Sequence, residues 1–388
     1  MLTRRSLMVT SLVAAAAPAI AATPKDVLVI AKQIDDITSL DPHESFEASG
    51  GEIVNNLYEK LVMPNLQDPD RLEGELAERW GVSEDGLVHS FTLRPGAVFA
   101  SGKPVTAADA AFSLQRAIRM NKSPAFILGQ FGFTPDNVEE RITASGENTL
   151  LLRTTERQAP SFVLACLTAN VASIVERDVV LSHAVGGDLG NAWLRQNSAG
   201  SGPWVLRSWR ANESVVLDRN PRHVGAGSIT RVVTRHVADA TTQLLLLQQG
   251  DADIARNLGS DQLRALPANL VPVTRERSII MFMGLNQSHP ALAKPAVREA
   301  IKWAIDYEGI RGGLVAQTYK IHQSFLPDGM PGVLSGIRFQ RDVARARALL
   351  VQAGLPQGFD MVIDHPAISL RRRGASGASQ SGRDRHSC

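Results

Sequence analysis

Asp26-Val27-Leu28-Val29-Ile30-Ala31 is a short apolar run fit for a buried strand, and its coupling to the next apolar segment sets the class of fold. A polar loop runs through Asp41-Pro42, and from Glu52 to Leu61 the residues Ile53, Leu57 and Leu61 fall four apart on one helical face. A strand without polar alternation that feeds a helix is the pattern of an α/β protein, where strands are covered on both faces.

Outward from there the same kinds of segment recur. Leu87 to Phe99 is strand-like, with turns at Pro95-Gly96 and Ser101-Gly102. Thr106-Ala107-Ala108-Asp109 has the hydroxyl-then-acid spacing of a capping box, and the helix it starts runs to about Arg119 with Ala111, Leu114 and Ile118 as its buried stripe. Asn121 to Asn148 reads as loop, and Thr149-Leu150-Leu151-Leu152 resumes strand character. Ser201-Gly202-Pro203-Trp204 is a tight turn before Val205-Leu206, and Ser214-Val215-Val216-Leu217 is a strand that stops at Asn220-Pro221. Gln243 to Gln249 predicts a helix closed by Gly250, with a strand over 251–255 behind it. Val297, Ile301, Ala304 and Ile305 mark an amphipathic helix, 342–352 marks another that stops at Gly354, and Phe359 to Ile363 begins a last strand.

A chain of 388 residues exceeds the roughly 250–300 at which one hydrophobic core stops growing, so at least two domains are expected. Its 44% hydrophobic and 21% charged residues are those of an ordinary globular protein. The formal charge of +2 misleads, because Arg371, Arg372, Arg373, Arg383 and Arg385 against Asp384 put +4 into the last twenty residues and leave −2 for the rest. Nothing in this mildly acidic body suggests nucleic acid as a partner, and none is expected. Cys166 and Cys388 are the two cysteines, and a pair that needs the last residue of the chain is a poor staple, so cores must supply the stability.

Arg4-Arg5, the apolar stretch from Leu7 to Ala17 and the small residues of Ala19-Ile20-Ala21 have the layout of a cleavable export signal over residues 1–21. The stretch falls short of the about twenty residues a spanning helix needs. Thr3-Arg4-Arg5-Ser6-Leu7-Met8 also resembles a twin-arginine signal. A soluble periplasmic protein is expected. At the other end, Ser, Gly and Arg without apolar period fill 366–388, an irregular basic tail that cuts a strand off in mid-element, as a frameshift or truncation does.

An ordered set of segments resembles the extracellular solute-binding proteins of family 5, the periplasmic receptors of peptide and dipeptide ABC importers. It comprises Ser39-Leu40-Asp41-Pro42-His43, Asn56 to Leu61, Leu76 to Trp80, Val82 to Leu87, Phe91 to Gly96, Gly102 to Asp109, Gly200 to Trp204, Arg219-Asn220-Pro221, Leu246 to Ile254 and Val297 to Ile301. The resemblance implies an α/β, periplasmic binding protein-like fold with two lobes of the cluster C type, an extra subdomain and an incomplete second lobe. The first lobe's sheet domain would span 24–64 and 170–255, the inserted subdomain 65–169, and the partial second lobe 256–365. The implied function is the substrate-binding component of an importer, which takes a peptide or similar small solute between its lobes. As a monomer without cofactor or metal, it would deliver that solute to an inner-membrane ABC permease.

Most of these motifs keep the fold on their own physics: Asp41-Pro42 turns a loop, Thr106 caps a helix, and Asp306 ends or pairs one. Ligand contacts are expected from Phe46, Glu47 and Ala48, in the loop the resemblance places at the cleft, and from Arg256 and Asn257 just after a strand end. Glu47 reads equally as the partner of a ligand amine or a solvated loop acid, and Arg256 as a fork for a carboxylate or a surface cation. Phe282 either stacks on ligand or fills core.

The rival classes fare worse. The nine histidines show no metal-ligand spacing, and no nucleophile elbow or phosphate loop occurs, so an enzyme is not expected. A ligand-presenting sensor module and a non-functional remnant of a receptor are the alternatives.

Overall fold

The computed structural model describes residues 24–68, 71–225, 227–330 and 332–364, with the backbone of 383–387. The expected signal segment and most of the basic tail lie outside the described residues. The chain divides into two compact units, one ending at Leu258 and the other beginning at Gly259.

In the first unit, β1 (Val27–Lys32) leads to α1 (Ala48–Leu57), and β2 (Val62–Pro64) pairs antiparallel with β3 (Leu72–Gly74). Then β4 (Ala77–Val82), β5 (Val88–Leu93), β6 (Ile142–Ser145) and β7 (Thr149–Arg153) make an antiparallel sheet in the order β4-β5-β7-β6. The chain returns through β8 (Trp204–Arg210), β9 (Ser214–Arg219), β10 (Arg231–His236) and β11 (Ile254–Ala255) to a five-stranded sheet ordered β11-β1-β10-β9-β8. In it β1 runs parallel to both β10 and β11, while β10, β9 and β8 alternate in direction.

The apolar run of β1 is explained by its place between two layers. Val29 and Ala31 are buried with Ala252, and Leu246 and Leu247 of the helix Ala240–Gln249 pack over them. On the opposite face Leu28 and Ile30 pack into a core that holds Leu57, Val215, Leu217 and Val232. The helix Ala240–Gln249 ends as its sequence predicts, at Gly250 in the left-handed region.

The helix read over 52–61 lies earlier, at Ala48–Leu57. Tyr58 turns extended because Glu59 and Lys60 leave the helix to accept backbone bonds from Ile174 and Leu76. Leu61 is buried, but in the core of the antiparallel sheet.

That second core is covered by α2 (Ala107–Met120), whose N-terminus is the capping box read from the sequence. Asp109 N donates to Thr106 Oγ1 at 3.3 Å and Thr106 N donates to Asp109 Oδ2 at 3.0 Å. The stretch 121–148, read as loop, also holds the short helices Phe126–Gly129 and Val138–Arg141 and strand β6.

In the second unit the helices Pro295–Ala304 and Val343–Gln352 pack together around buried Val297, Ala300 and Ala346. Asp342 caps the second helix by accepting from Arg345 N at 2.8 Å. Asp306, read as ending or pairing a helix, caps the short turn Tyr307–Gly309 and sits 3.4 Å from Arg341. β12 (Asp360–Asp364) pairs antiparallel with β13 (Arg383–Ser387), so strand structure occurs inside the segment read as irregular.

Candidate functional site

In an open α/β sheet, ligands bind outside the carboxyl ends of the parallel strands. Here those ends are Lys32, His236 and Ala255, and the chain segments that leave them are tied to one another. Gln33 N donates to Asn257 Oδ1 at 2.8 Å, and Asn257 N donates to Gln243 Oε1 at 3.1 Å. Ile34 N donates to His236 Nδ1 at 3.1 Å, and Arg256 N to the Ala31 carbonyl at 3.2 Å. The backbones at the expected positions 256 and 257 are therefore fixed by the sheet, while both side chains stand exposed.

Glu52, on the second turn of α1, joins this edge. Its Oε2 accepts from Lys32 Nζ at 2.5 Å and its Oε1 from Arg256 Nη1 at 2.8 Å. Burial raises the Glu52 carboxyl, but hydrogen bonding and charge from Lys32, then from Arg256, outweigh it and hold the group below its usual range.

The loop before α1 carries the other expected contacts. Phe46 is 57% exposed and meets the Phe126 ring edge-on, with centroids 6.0 Å apart. Phe126 is in turn on the wall of an open depression of about 440 Å³ that Ile118, Lys122, Phe133 and Pro135 also line. Glu47 is held in place by the loop: Thr38 Oγ1 donates to its Oε1 at 2.6 Å and Phe46 N to its Oε2 at 3.1 Å. Ala48 is exposed as the first residue of α1. The sixth expected contact, Phe282, belongs to the second unit, where it is 79% exposed and outside any regular element. It does not fill core.

What positions the loop is a buried cluster where the sequence alone reads a simple turn. Asp41 and Arg116 form a salt bridge at 2.7 Å with both side chains fully buried. Arg116 spends its remaining donors on His43 Nδ1 at 2.8 Å and on the Leu189 carbonyl at 2.7 Å, and Asn191 Nδ2 donates to Asp41 at 2.8 Å. His43 Nε2 lies 3.0 Å from the Ser173 carbonyl and donates to it in the tautomer this geometry requires. Burial pushes the Asp41 carboxyl up, but bonding to Arg116 and its charge prevail, so it ends below its ordinary value. Burial and then the Arg116 charge hold His43 down at about 4, against the opposing pull of Asp41. The loop that carries Phe46 is thus pinned to α2 and to the 173–191 segment by charges that cannot leave.

Among the described residues, no group of three or more histidine, cysteine, aspartate or glutamate side chains is arranged to hold a metal ion.

Comparison with known proteins agrees with the fold. Residues 71–379 match the family model described as bacterial extracellular solute-binding proteins, family 5 Middle. The probable D,D-dipeptide-binding periplasmic protein DdpA of Escherichia coli K12 is 33% identical over 336 residues, which cover 84% of this chain and 62% of that protein. The glutathione-binding protein GsiB of Salmonella paratyphi A is 25% identical over 90% of this chain and 65% of its own. The chain therefore spans less than two thirds of the length of either curated relative. Among solved structures, DppA of Helicobacter pylori in complex with the peptide STSA superposes with a TM-score of 0.70 at 24% identity, over 86% of this chain and 67% of that one. The murein tripeptide binding protein MppA of Escherichia coli gives 0.70 at 23%, with the same coverage. These likenesses show the fold. With a family model matched over most of its length, and a five-stranded sheet whose parallel strand ends converge on one edge, the chain belongs to the bacterial extracellular solute-binding proteins of family 5.

Proposed function

We propose that the protein is the periplasmic substrate-binding component of an ABC importer, and that it binds a peptide or similar small solute and delivers it to an inner-membrane permease. The observation that carries this reading is the edge at the ends of β1, β10 and β11, where Asn257 is locked to Gln33 while the Arg256 head group faces solvent. Such an edge is rigid in backbone and open in side chain, which suits capture of a small polar solute by a few oriented groups. Phe46 and Glu47 in the loop before α1, and Ala48 at its first position, would add ligand contacts, with Glu47 shaping the loop and Phe46 offering an apolar face. The protein works as a monomer, binds without turnover and needs no cofactor.

The names of the relatives give the first ligands to test, a D,D-dipeptide and glutathione. Calorimetric titration of the purified protein with D-Ala-D-Ala and with glutathione should give saturable binding of one of them. Mass spectrometry should recover that ligand unchanged. Asn257→Ala should weaken binding by about tenfold, the cost of losing one oriented hydrogen-bonding group and the loop it holds. Absence of heat with both ligands and with a mixed tripeptide pool would remove the peptide reading, and ligand cleavage would remove the binding-only reading.

A further inference from the structure

A buried ionic cluster lies where the chain passes from α1 to the antiparallel sheet. Glu59 and Lys60 come from the segment between α1 and β2, Glu75 from the turn between β3 and β4, and Arg94 directly follows β5. The backbone joins these segments first: Glu75 N and Ala77 N donate to the Leu61 carbonyl, and Leu76 N to the Lys60 carbonyl. The two acids are then compensated differently. Glu59, with 5% of its side chain exposed, accepts from Arg94 Nη2 at 2.7 Å, and His223 Nε2 lies 3.7 Å from the same oxygen. Glu75, at 15%, accepts from Lys60 N at 2.8 Å. Lys60 Nζ stands 4.0 Å from it, beyond hydrogen-bonding reach, and donates instead to Asn55 Oδ1 of α1 at 2.9 Å. A carboxylate withdrawn from water and so thinly partnered resists ionisation. Burial pushes Glu75 up to about 7 against the pull of the Lys60 charge and amide, with Glu59 adding to the rise and Arg94 opposing it. Two neighbouring acids are thereby driven to different tasks, one fixed in an ion pair and one free to titrate.

We propose that Glu75 and Lys60 form a proton-sensitive brace between α1 and the antiparallel sheet, in which one proton on Glu75 resets the hold on the segment that leads out of α1. Protonated, Glu75 needs no cation and still accepts from Lys60 N through its carbonyl oxygen, so the Lys60 ammonium serves Asn55 and Glu59. Ionised, Glu75 draws that ammonium away from Asn55 and repels Glu59. The charges that face Glu75 are Lys60 and Glu59 from the segment after α1 and Arg94 from the end of β5. His223, from the segment after β9, is a further titratable group at the cluster and faces Glu59. The folded chain holds the Glu75 proton more tightly than the ordinary side chain, whose value is 4.5. The brace is therefore firmest in acid and weakens as the pH rises through about 7. α1 also carries Glu52, which ties the brace to the strand-end edge through a single helix.

The test is an NMR titration of the purified full chain from about pH 5 to about pH 9, which spans the range between an ordinary carboxylate and an ordinary lysine. It follows the carboxyl carbons of labelled glutamate, the Lys60 backbone amide and the Asn55 side-chain amide. Glu75 should titrate with a midpoint near 7, and the Lys60 and Asn55 signals, at the two ends of the brace, should shift with the same midpoint. His43 takes its proton at about 4 and stays silent over this range. Glu75→Gln keeps the size and the acceptor and should abolish the inflection at Lys60 and Asn55, whereas His223→Gln should leave it in place. Lys60→Met should raise the Glu75 midpoint by at least about half a pH unit, because an attractive charge is gone. A Glu75 midpoint near 4.5 overturns the proposal on the unmodified protein, without need of any variant. An Asn55 signal that stays flat while Glu75 titrates overturns it too, since the proton then does not reach α1. So does a Lys60 inflection that survives Glu75→Gln, because another group then drives it.

Discussion

Removing Arg116 should damage the first unit more than any surface change, and the amount comes from the groups it leaves behind. Arg116→Met keeps most of the side-chain volume but takes away both bonds to Asp41, at 2.9 and 2.7 Å, in a site with no exposed atoms on either side chain. The orphaned Asp41 retains Asn191 Nδ2 and the His43 amide, which cannot neutralise it, and the Leu189 carbonyl loses its donor. Breaking a buried pair from one side costs about 3–5 kcal/mol. In a unit of this size that corresponds to roughly 6–20 °C in Tm. The assay is urea unfolding followed by tryptophan fluorescence, read as a shift of midpoint at constant slope. Asp41→Asn should cost a similar amount, since it strands the guanidinium. The double variant Arg116→Met with Asp41→Asn should recover about 1–3 kcal/mol of the summed loss, the coupling of paired groups. A loss below about 1 kcal/mol for Arg116→Met, the level of an exposed pair, would refute the argument that these charges are locked away from water.

Three other perturbations test neighbouring parts of the fold. His43 is held at about 4 when folded, against 6.5 as its ordinary value, so between those pH values the unfolded chain binds a proton that the native chain refuses. Stability should therefore fall by about 3 kcal/mol as pH drops from 6.5 to 4, and His43→Asn should flatten that slope in urea melts at several pH values. Gly200 packs where a Cβ would come within 2.1 Å of the Leu57 carbonyl oxygen, so Gly200→Ala should cost about 1–3 kcal/mol, whereas Gly129→Ala, with open space around it, should not destabilise in the same thermal melt. Thr106→Ala should lose about 1 kcal/mol by removing the capping box, and Thr106→Ser should retain it.

Features whose cause is local were legible in the sequence, and features whose cause is distant were not. Thr106 with Asp109, Gly250 and Asp342 act on residues within a turn of themselves, and each does what its spacing predicts. The stop of α1 at Leu57 is set by Ile174 and Leu76, which no helical period encodes. β4 escaped because, as an edge strand with Ala77 as its one buried residue, it carries Glu78, Arg79 and Trp80 toward solvent and shows no apolar run. At the site, Arg256 and Asn257 could be named because they come directly after a strand end. Lys32 and Glu52 could not, since their link to Arg256 exists only when β11 lies beside β1. Likewise Asp41 looks like an ordinary turn residue until Arg116, 75 positions away, is brought against it.

The parallel pairing of β1 also dictates an order of assembly. Val27 finds its partner at Arg231 and Ile30 at Ile254, so the first strand made waits for almost the last strands of its unit. At a synthesis rate of about 5–20 residues per second, that wait lasts on the order of 10–40 s. The antiparallel sheet and α2 close among themselves much sooner, their strands all falling between Ala77 and Arg153. The nascent chain thus carries an assembled antiparallel sheet beside an unpaired apolar strand, which is the interval in which a holding chaperone has something to hold.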